Sequence, residues 1–324
     1  MTRSNLPLNR RSGFTLIELL TVVAIISLLI GILLPSLARA RDQAKNAKIL
    51  GMLRSIEGAL EMFHNDFGQY PDSRRRSDPI TDWPALGGIT PPDGADLTGA
   101  HWLARALYGH DSQGVDINGR SMGDGSVTAN QIQYATLATT SRKAVYFSGK
   151  VFFRDNDISS GVSLANPTTD FIPPGRMMVI EDSFKSPVLY YRANERASNP
   201  FCLDGNGQAA PGSSNDMPGV YRLRDNNLIT GDAANNIAGW DFANAGRQHW
   251  LAIFGTVNPA NPQQILSQPA EAKSTFARYL HDPNALSTSN IIKPMRPDSF
   301  VLITAGKDGL YGTDDDVNNF NTAR

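Results

Sequence analysis

The chain has 324 residues, enough to bury a core in one or two domains. Its 30 lysines and arginines balance 31 aspartates and glutamates, and a formal charge of −1 gives no electrostatic footing for a nucleic-acid partner. One cysteine, Cys202, excludes an internal disulfide and a Cys/His zinc cluster, and five scattered histidines without HExxH or nucleophile-elbow spacing give no reason to expect an enzyme.

The first element is the clearest. After Arg10-Arg11 the 21 residues 14–34 carry a single charge, Glu18, and at about 1.5 Å per residue a helix of that length crosses a bilayer core. A secretory signal peptide has some support, with Arg3, Arg10 and Arg11 as its basic region and Ala38-Arg39-Ala40 as an A-x-A site. The apolar stretch exceeds the usual 7 to 15 residues of such a peptide, and an acid within its first turns suits a disposable hydrophobic plug poorly. Arg39, Arg41, Lys45 and Lys48 follow the span just as three arginines precede it, so charge bias alone does not orient it.

Gly13-Phe14-Thr15-Leu16-Ile17-Glu18 resembles the prepilin cleavage and methylation motif of type IV pilins and type II secretion pseudopilins. The resemblance implies that prepilin peptidase removes residues 1–13 on the cytoplasmic side of the bacterial inner membrane and methylates the new amino terminus at Phe14. A carboxylate within a bilayer is costly and usually paired. Cleavage would create an ammonium at Phe14, four residues from Glu18 and on the same helix face, and the resemblance implies that Glu18 pairs with the amine of a neighbouring subunit. Solvation of Glu18 among the lipid headgroups is the other reading of the same residue.

Beyond Pro35 the pattern turns amphipathic, with Ile49, Leu53, Ile56, Leu60, Phe63 and Phe67 recurring every three or four residues. A continuous helix to about Phe67 is predicted, with Gly31 and Pro35 as flex points because proline lacks an amide donor. Gly68-Gln69-Tyr70-Pro71 then stops it, glycine as a left-handed cap and proline as a barrier to continuation; this GxYP resembles that of major pseudopilins.

Residues 72–143 read mostly as loop with a short helix at 101–108, and the run Arg74-Arg75-Arg76 reads as solvated. Strands are predicted at 144–154, 176–180, 187–192 and 299–304, forming an antiparallel sheet. The strand around Phe184 to Tyr191 is similar to the one after the DxWGxP turn of the same pseudopilins, without the tryptophan and glycine. Long Asn/Gly/Pro-rich loops fill 193–298, with one helix at 270–281 ended by Asp282-Pro283.

The last segment, residues 304–317, packs four aspartates among three glycines. Adjacent carboxylates repel, and a hard cation such as calcium would relieve them while the glycines let the loop curl around it. The spacing is not that of an EF-hand, but the loop resembles the carboxy-terminal calcium loop of major pseudopilins. Asp308, Asp314 and Asp316 are the expected ligands, with Asp315 pointing outward or sharing the load.

Together these readings give an α+β, pilin-like chain: a leader at 1–13, a transmembrane and assembly helix at 14–35, its amphipathic continuation at 36–67 and a periplasmic β-rich domain at 68–324 carrying long loops. The resemblance implies a structural, non-catalytic subunit of a type II secretion fibre, with prepilin peptidase, other pilin or pseudopilin subunits and inner-membrane lipid as partners. A type IV pilin or minor pilin shares the same leader and stem. A membrane-anchored binding domain with a borrowed amino terminus is the third reading, supported by the length of the insertions.

Overall fold

The computed structural model describes residues 15–73, 98–108, 115–116, 142–149, 151–155, 176–197, 199–201, 219–231, 249–266 and 273–320. Gly13, Phe14, Cys202 and the arginine run at 74–76 lie outside them.

Helix α1 (Leu16–Phe67) is 52 residues long, about 78 Å at 1.5 Å per residue, and runs through both Gly31 and Pro35. Pro35 has no amide hydrogen for the carbonyl of Gly31, so one rung of the ladder is absent while the helix continues. The chain divides into two compact units, residues 1–45 and 46–324. In the first, the large apolar side chains from Leu16 to Leu37 are all exposed, and this helix is long and apolar enough to cross a membrane. In the second, Ile49, Leu53, Ile56, Leu60 and Phe63 are buried at the predicted helical spacing, and Gly68, at φ 75°, ends the helix by donating its amide to the carbonyl of His64 at 2.7 Å.

Helix α2 (Gly99–Tyr108) follows. Its first residue has to be glycine, because a Cβ there would sit 2.0 Å from the carbonyl oxygen of Tyr190. Strands β1 (Val115–Asp116) and β2 (Arg142–Lys143) form one short antiparallel pair, and β3 (Val151–Asp155) and β4 (Arg176–Ile180) a second. After β5 (Leu189–Arg192), strands β6 (Asn199–Phe201) and β7 (Gly219–Tyr221) pair in parallel. Three short helices, α3 (Asn227–Thr230), α4 (Phe276–Leu280) and α5 (Pro283–Ser289), precede β8 (Phe300–Thr304) and β9 (Val317–Asn318). The central sheet is antiparallel in the order β5-β8-β9, with Tyr190 opposite Leu302 and Thr304 opposite Val317.

Strand β8 is buried at every residue and sorts its side chains by the two-residue period of a strand. Phe300 and Leu302, with Val188 and Tyr190, pack against Ile49, Leu53, Ile56 and Leu60 of the stem and Leu103 and Leu107 of α2. Val301 and Ile303, with Leu189 and Tyr191, face the other way into Phe201, Leu251, Phe254 and Phe276. Described residues within the long segment read from sequence as loop therefore supply a second layer over the sheet. Phe276 is the hub of that layer, with Tyr191, Phe201 and Phe254 rings at centroid distances of 5.4, 6.4 and 6.0 Å.

Four expectations need correction. The strand predicted at 144–154 is broken: residues 144–149 are irregular, with Tyr146 donating its amide to the carbonyl of Leu107 at 2.9 Å and Phe147 turned into the stem-side core. The helix predicted at 270–281 is only Phe276–Leu280 among the described residues, because Lys273 bridges to Thr313 as an isolated β-type pair. Asp282-Pro283, read as the end of that helix, instead starts α5: the Asp282 carboxylate accepts the Asn284 amide at 2.9 Å and proline takes the first helical turn. The β6–β7 pair is parallel where only antiparallel pairing was expected.

Phe276→Ala should lower the stability of residues 46–324 by about 3–5 kcal/mol, measured by chemical denaturation. Leu50→Ala, at a position on the stem that is 37% exposed, should change it by less than about 0.5 kcal/mol.

Candidate functional site

Three places carry polar chemistry. The first is the head of α1. The amide of Thr15 donates to Glu18 Oε2 at 2.8 Å, its hydroxyl donates to the same oxygen at 2.7 Å, and the Glu18 amide returns a bond to Thr15 Oγ1 at 3.3 Å. This is a reciprocal capping box: the carboxylate takes an amide that the helix itself cannot satisfy, and the negative charge lies at the positive end of the helix dipole. Thr-x-x-Glu is a helix-start spacing that the sequence carries, although only pairing of Glu18 with an amine at position 14, or its solvation, was expected from it. Phe14 and Gly13 lie outside the described residues, so the cleavage site itself has no geometry here.

The second place is the joint between the stem and the sheet. Tyr70, from the GxYP stop, donates its hydroxyl to Glu61 at 2.9 Å and sets its ring edge-on to Phe300 at 4.9 Å and against His64 at 4.5 Å. Burial, followed by the neighbouring Glu61 carboxylate, pushes the Tyr70 hydroxyl up to about 12. The carbonyl of Pro71 accepts the Tyr190 hydroxyl at 2.7 Å, tying the end of the stem to β5. Higher on the stem, Glu57 pairs with Arg296 and also accepts from Asn319 Nδ2 at 2.9 Å. Arg296, in the left-handed region at φ 45°, stacks its guanidinium 5.1 Å from the Phe300 ring centroid, and its carbonyl accepts the Tyr221 hydroxyl at 2.6 Å. The residues just before β8 and just after β9 thus meet on one stem carboxylate.

The third place is the loop between β8 and β9. Gly306, Gly309 and Gly312 have φ values of 61°, 72° and 92°, and a Cβ on Gly306 would lie 2.2 Å from the carbonyl oxygen of Asp315. Asp315 Oδ2 accepts the amides of Lys307 and Asp308 at 2.8 and 2.9 Å, Asp308 Oδ1 that of Leu310 at 2.7 Å, and Asp316 Oδ2 that of Gly312 at 2.7 Å. Around the hydroxyl of Thr313 stand the Leu310 carbonyl at 3.1 Å, Asp315 Oδ1 at 2.7 Å and Asp316 Oδ1 at 3.3 Å, with the Asp308 carboxyl against Thr313 and Asp315 as well. A hydroxyl has one proton to donate, so the oxygens meeting there outnumber the hydrogens between them. Burial raises the Asp308 carboxyl above the usual carboxylate range and raises that of Asp316 well above it, with the neighbouring aspartates adding to both shifts. Asp314, expected as a ligand, is exposed at the rim, whereas Asp315, expected to point outward or share the load, takes the inner place. Among the described residues no three acidic, histidine or cysteine side chains form a ready-made metal cage; what converges is a mixed set of carboxylate, carbonyl and hydroxyl oxygens.

The second layer of the fold buttresses this loop. Ser274 donates its amide to the Gly312 carbonyl at 2.7 Å, Trp250 donates to the Tyr311 carbonyl at 2.9 Å, and His249 Nδ1 accepts the Tyr311 amide at 3.2 Å. Lys273 lies over the Trp250 ring at 4.6 Å. None of these supports was foreseen, because residues 249–275 show no period that ties them to the loop.

Comparison with known proteins gives the class first. Residues 8–34 match the family described as the prokaryotic N-terminal methylation motif, so the chain carries a prepilin-type head. Among particular relatives, it is similar to type II secretion system core protein G of Klebsiella pneumoniae, 32% identical over 68 residues that make up 21% of this chain and 49% of that protein. The same protein of Pseudomonas aeruginosa is 36% identical over 66 residues, 20% of this chain and 46% of that protein. The type IV wide pilus major component PilA4 of Thermus thermophilus is 39% identical over 62 residues, 19% of this chain and 47% of that protein. The chain spans about half the length of these curated relatives. No solved structure matches it.

The stem joint gives a direct test. In a double-mutant cycle with Glu57→Gln and Arg296→Gln, unfolding free energies should show a coupling of about 1 kcal/mol, above the usual value for an exposed pair because Asn319 and Phe300 hold the two groups in place.

Proposed function

We propose that this chain is a type II secretion pseudopilin-like subunit. Prepilin peptidase cuts it between Gly13 and Phe14 and methylates Phe14, residues 14–35 hold it in the inner membrane with the amino terminus cytoplasmic, and residues 68–324 face the periplasm. The carrying observation is the match of residues 8–34 to the methylation motif at the head of an exposed apolar helix. The role is structural: the apolar helix first anchors the precursor and then packs against the same helix of other subunits in a fibre. Glu18 serves both stages. Before assembly its charge is held by Thr15 in the capping box; in the fibre the ammonium of a neighbouring Phe14 gives it a full opposite charge in a low-dielectric setting. A type IV pilin is the second reading, favoured by the similarity to the wide pilus component of Thermus thermophilus.

Mass spectrometry of the protein taken from membranes should find a mature chain beginning at N-methylated Phe14. A chain beginning at Arg41 means ordinary secretion, and one retaining Met1 means a simple anchor. Glu18→Ala should be cleaved and yet lose the subunit–subunit cross-links that the wild type gives in whole cells; cross-linking at the wild-type level would remove Glu18 as the pairing group.

We propose further that the β8–β9 loop takes a calcium ion. Support comes from the donor set: Asp308, Asp315 and Asp316 carboxyls, the Leu310 carbonyl and the Thr313 hydroxyl are hard oxygens of the kind calcium selects, and they converge around one hydroxyl. Asp314 is at the rim. Calcium should raise the melting temperature of residues 46–324 and a chelator should lower it, while Asp315→Asn removes the response and Asp314→Asn keeps most of it. A melt indifferent to both additions sinks the calcium reading.

A further inference from the structure

We propose that Arg39, Arg41 and Lys45 form a collar that binds anionic phospholipid headgroups where the helix leaves the bilayer, an inference that rests on the anchor reading above. From Leu16 to Leu37 the helix climbs about 32 Å, close to the roughly 30 Å hydrocarbon core of a bilayer, and every large apolar side chain over that length is exposed. The first cation, Arg39, comes two residues later, and Arg39, Arg41 and Lys45 are all exposed. Their backbones span about 9 Å along the axis, comparable with the roughly 5–8 Å headgroup layer on each side of the core. Arginine and lysine stems are long enough to lie along the apolar surface while their charged ends stay among phosphates.

Arg39 favours lipid over a partner docked on one face. At about 100° per residue, Arg41, Lys45 and the exposed Lys48 share one side of the helix, while Arg39 is on nearly the opposite side. A partner protein docked on one face would read one stripe; headgroups surround the helix and meet cations on both sides. Asp42 is the one acid within this band, so the net charge of the collar remains positive. Removal of residues 1–13 would take Arg3, Arg10 and Arg11 from the other end of the span and leave this collar as the main basic group beside the membrane. Loss of all three cations should lower local anionic-lipid occupancy several-fold.

The test uses the full chain in vesicles of phosphatidylcholine and phosphatidylglycerol at 3:1, extracted in mild detergent, with co-purifying lipids counted by mass spectrometry. Wild type should carry phosphatidylglycerol well above the bulk ratio. The variant R39Q/R41Q/K45Q should insert equally well, resist carbonate extraction and lose several-fold of that enrichment, whereas R39K/R41K should retain it. The leader arginines are the same in all three chains, so the difference isolates the collar. Equal enrichment in wild type and R39Q/R41Q/K45Q overturns the proposal and leaves the anchor intact. Failure of the wild type to resist carbonate extraction overturns the anchor reading and this proposal with it.

Discussion

Strand β8 has no face left for water, and the rest of the domain follows from that. A five-residue strand buried on both sides needs two apolar layers. The stem and α2 supply one, through Leu53, Leu60 and Leu103 against Phe300 and Leu302. Described residues between Asn199 and Ser289 supply the other, through Phe201, Leu251 and Phe276 against Val301 and Ile303. Removing either layer would expose a continuous row of large side chains and forfeit several kilocalories per mole in burial. The amphipathic half of α1 is therefore a structural part of the domain, and the polar joint made by Tyr70, Glu57 and Arg296 fixes its register on a contact that is mainly apolar.

The apolar head of α1 answers to a different solvent. Its side chains from Leu16 to Leu37 are exposed, which is unfavourable in water and favourable in lipid or among other such helices. On the function proposed above, a precursor held in the bilayer and a subunit packed in a fibre would satisfy the same surface in turn. The polar features of this segment mark its two ends. Glu18 and Thr15 close the amino-terminal turn, and the cations from Arg39 onward begin where the apolar surface stops. Proline at position 35 removes one backbone bond without ending the helix, so the helix keeps its length while one turn is held more weakly than its neighbours.

Much of this was legible in the sequence wherever one period dominated. The helix to Phe67 follows from spacing, and the strands read at 176–180, 187–192 and 299–304 follow from β-branched, aromatic and methionine content and are found at 176–180, 189–192 and 300–304. What failed to show was burial without a period. Phe201, Tyr221, Leu251, Phe254 and Phe276 come from short strands, 3-10 turns and a five-residue helix, and nothing in their spacing says that they cover one sheet face. Local signals also cut both ways: Asp-Pro marks an end when read from the left and a start when read from the right, and at Asp282-Pro283 the N-cap geometry wins. In the carboxylate loop the sequence located the crowding but not its inner side. Which aspartate turns inward is set by the close passage of Gly306 against Asp315, a three-dimensional fact.

The claim that the stem and the sheet are one cooperative core is tested most directly by native-state hydrogen exchange on residues 46–324. Amides of Ile56 to Leu60 on the stem and of Val301 to Ile303 in β8 should exchange only through global unfolding and report the same opening free energy. Stem amides that open at a free energy lower than those of β8 by more than about 2 kcal/mol would contradict the account, since the stem would then be an attached helix and not half of the core.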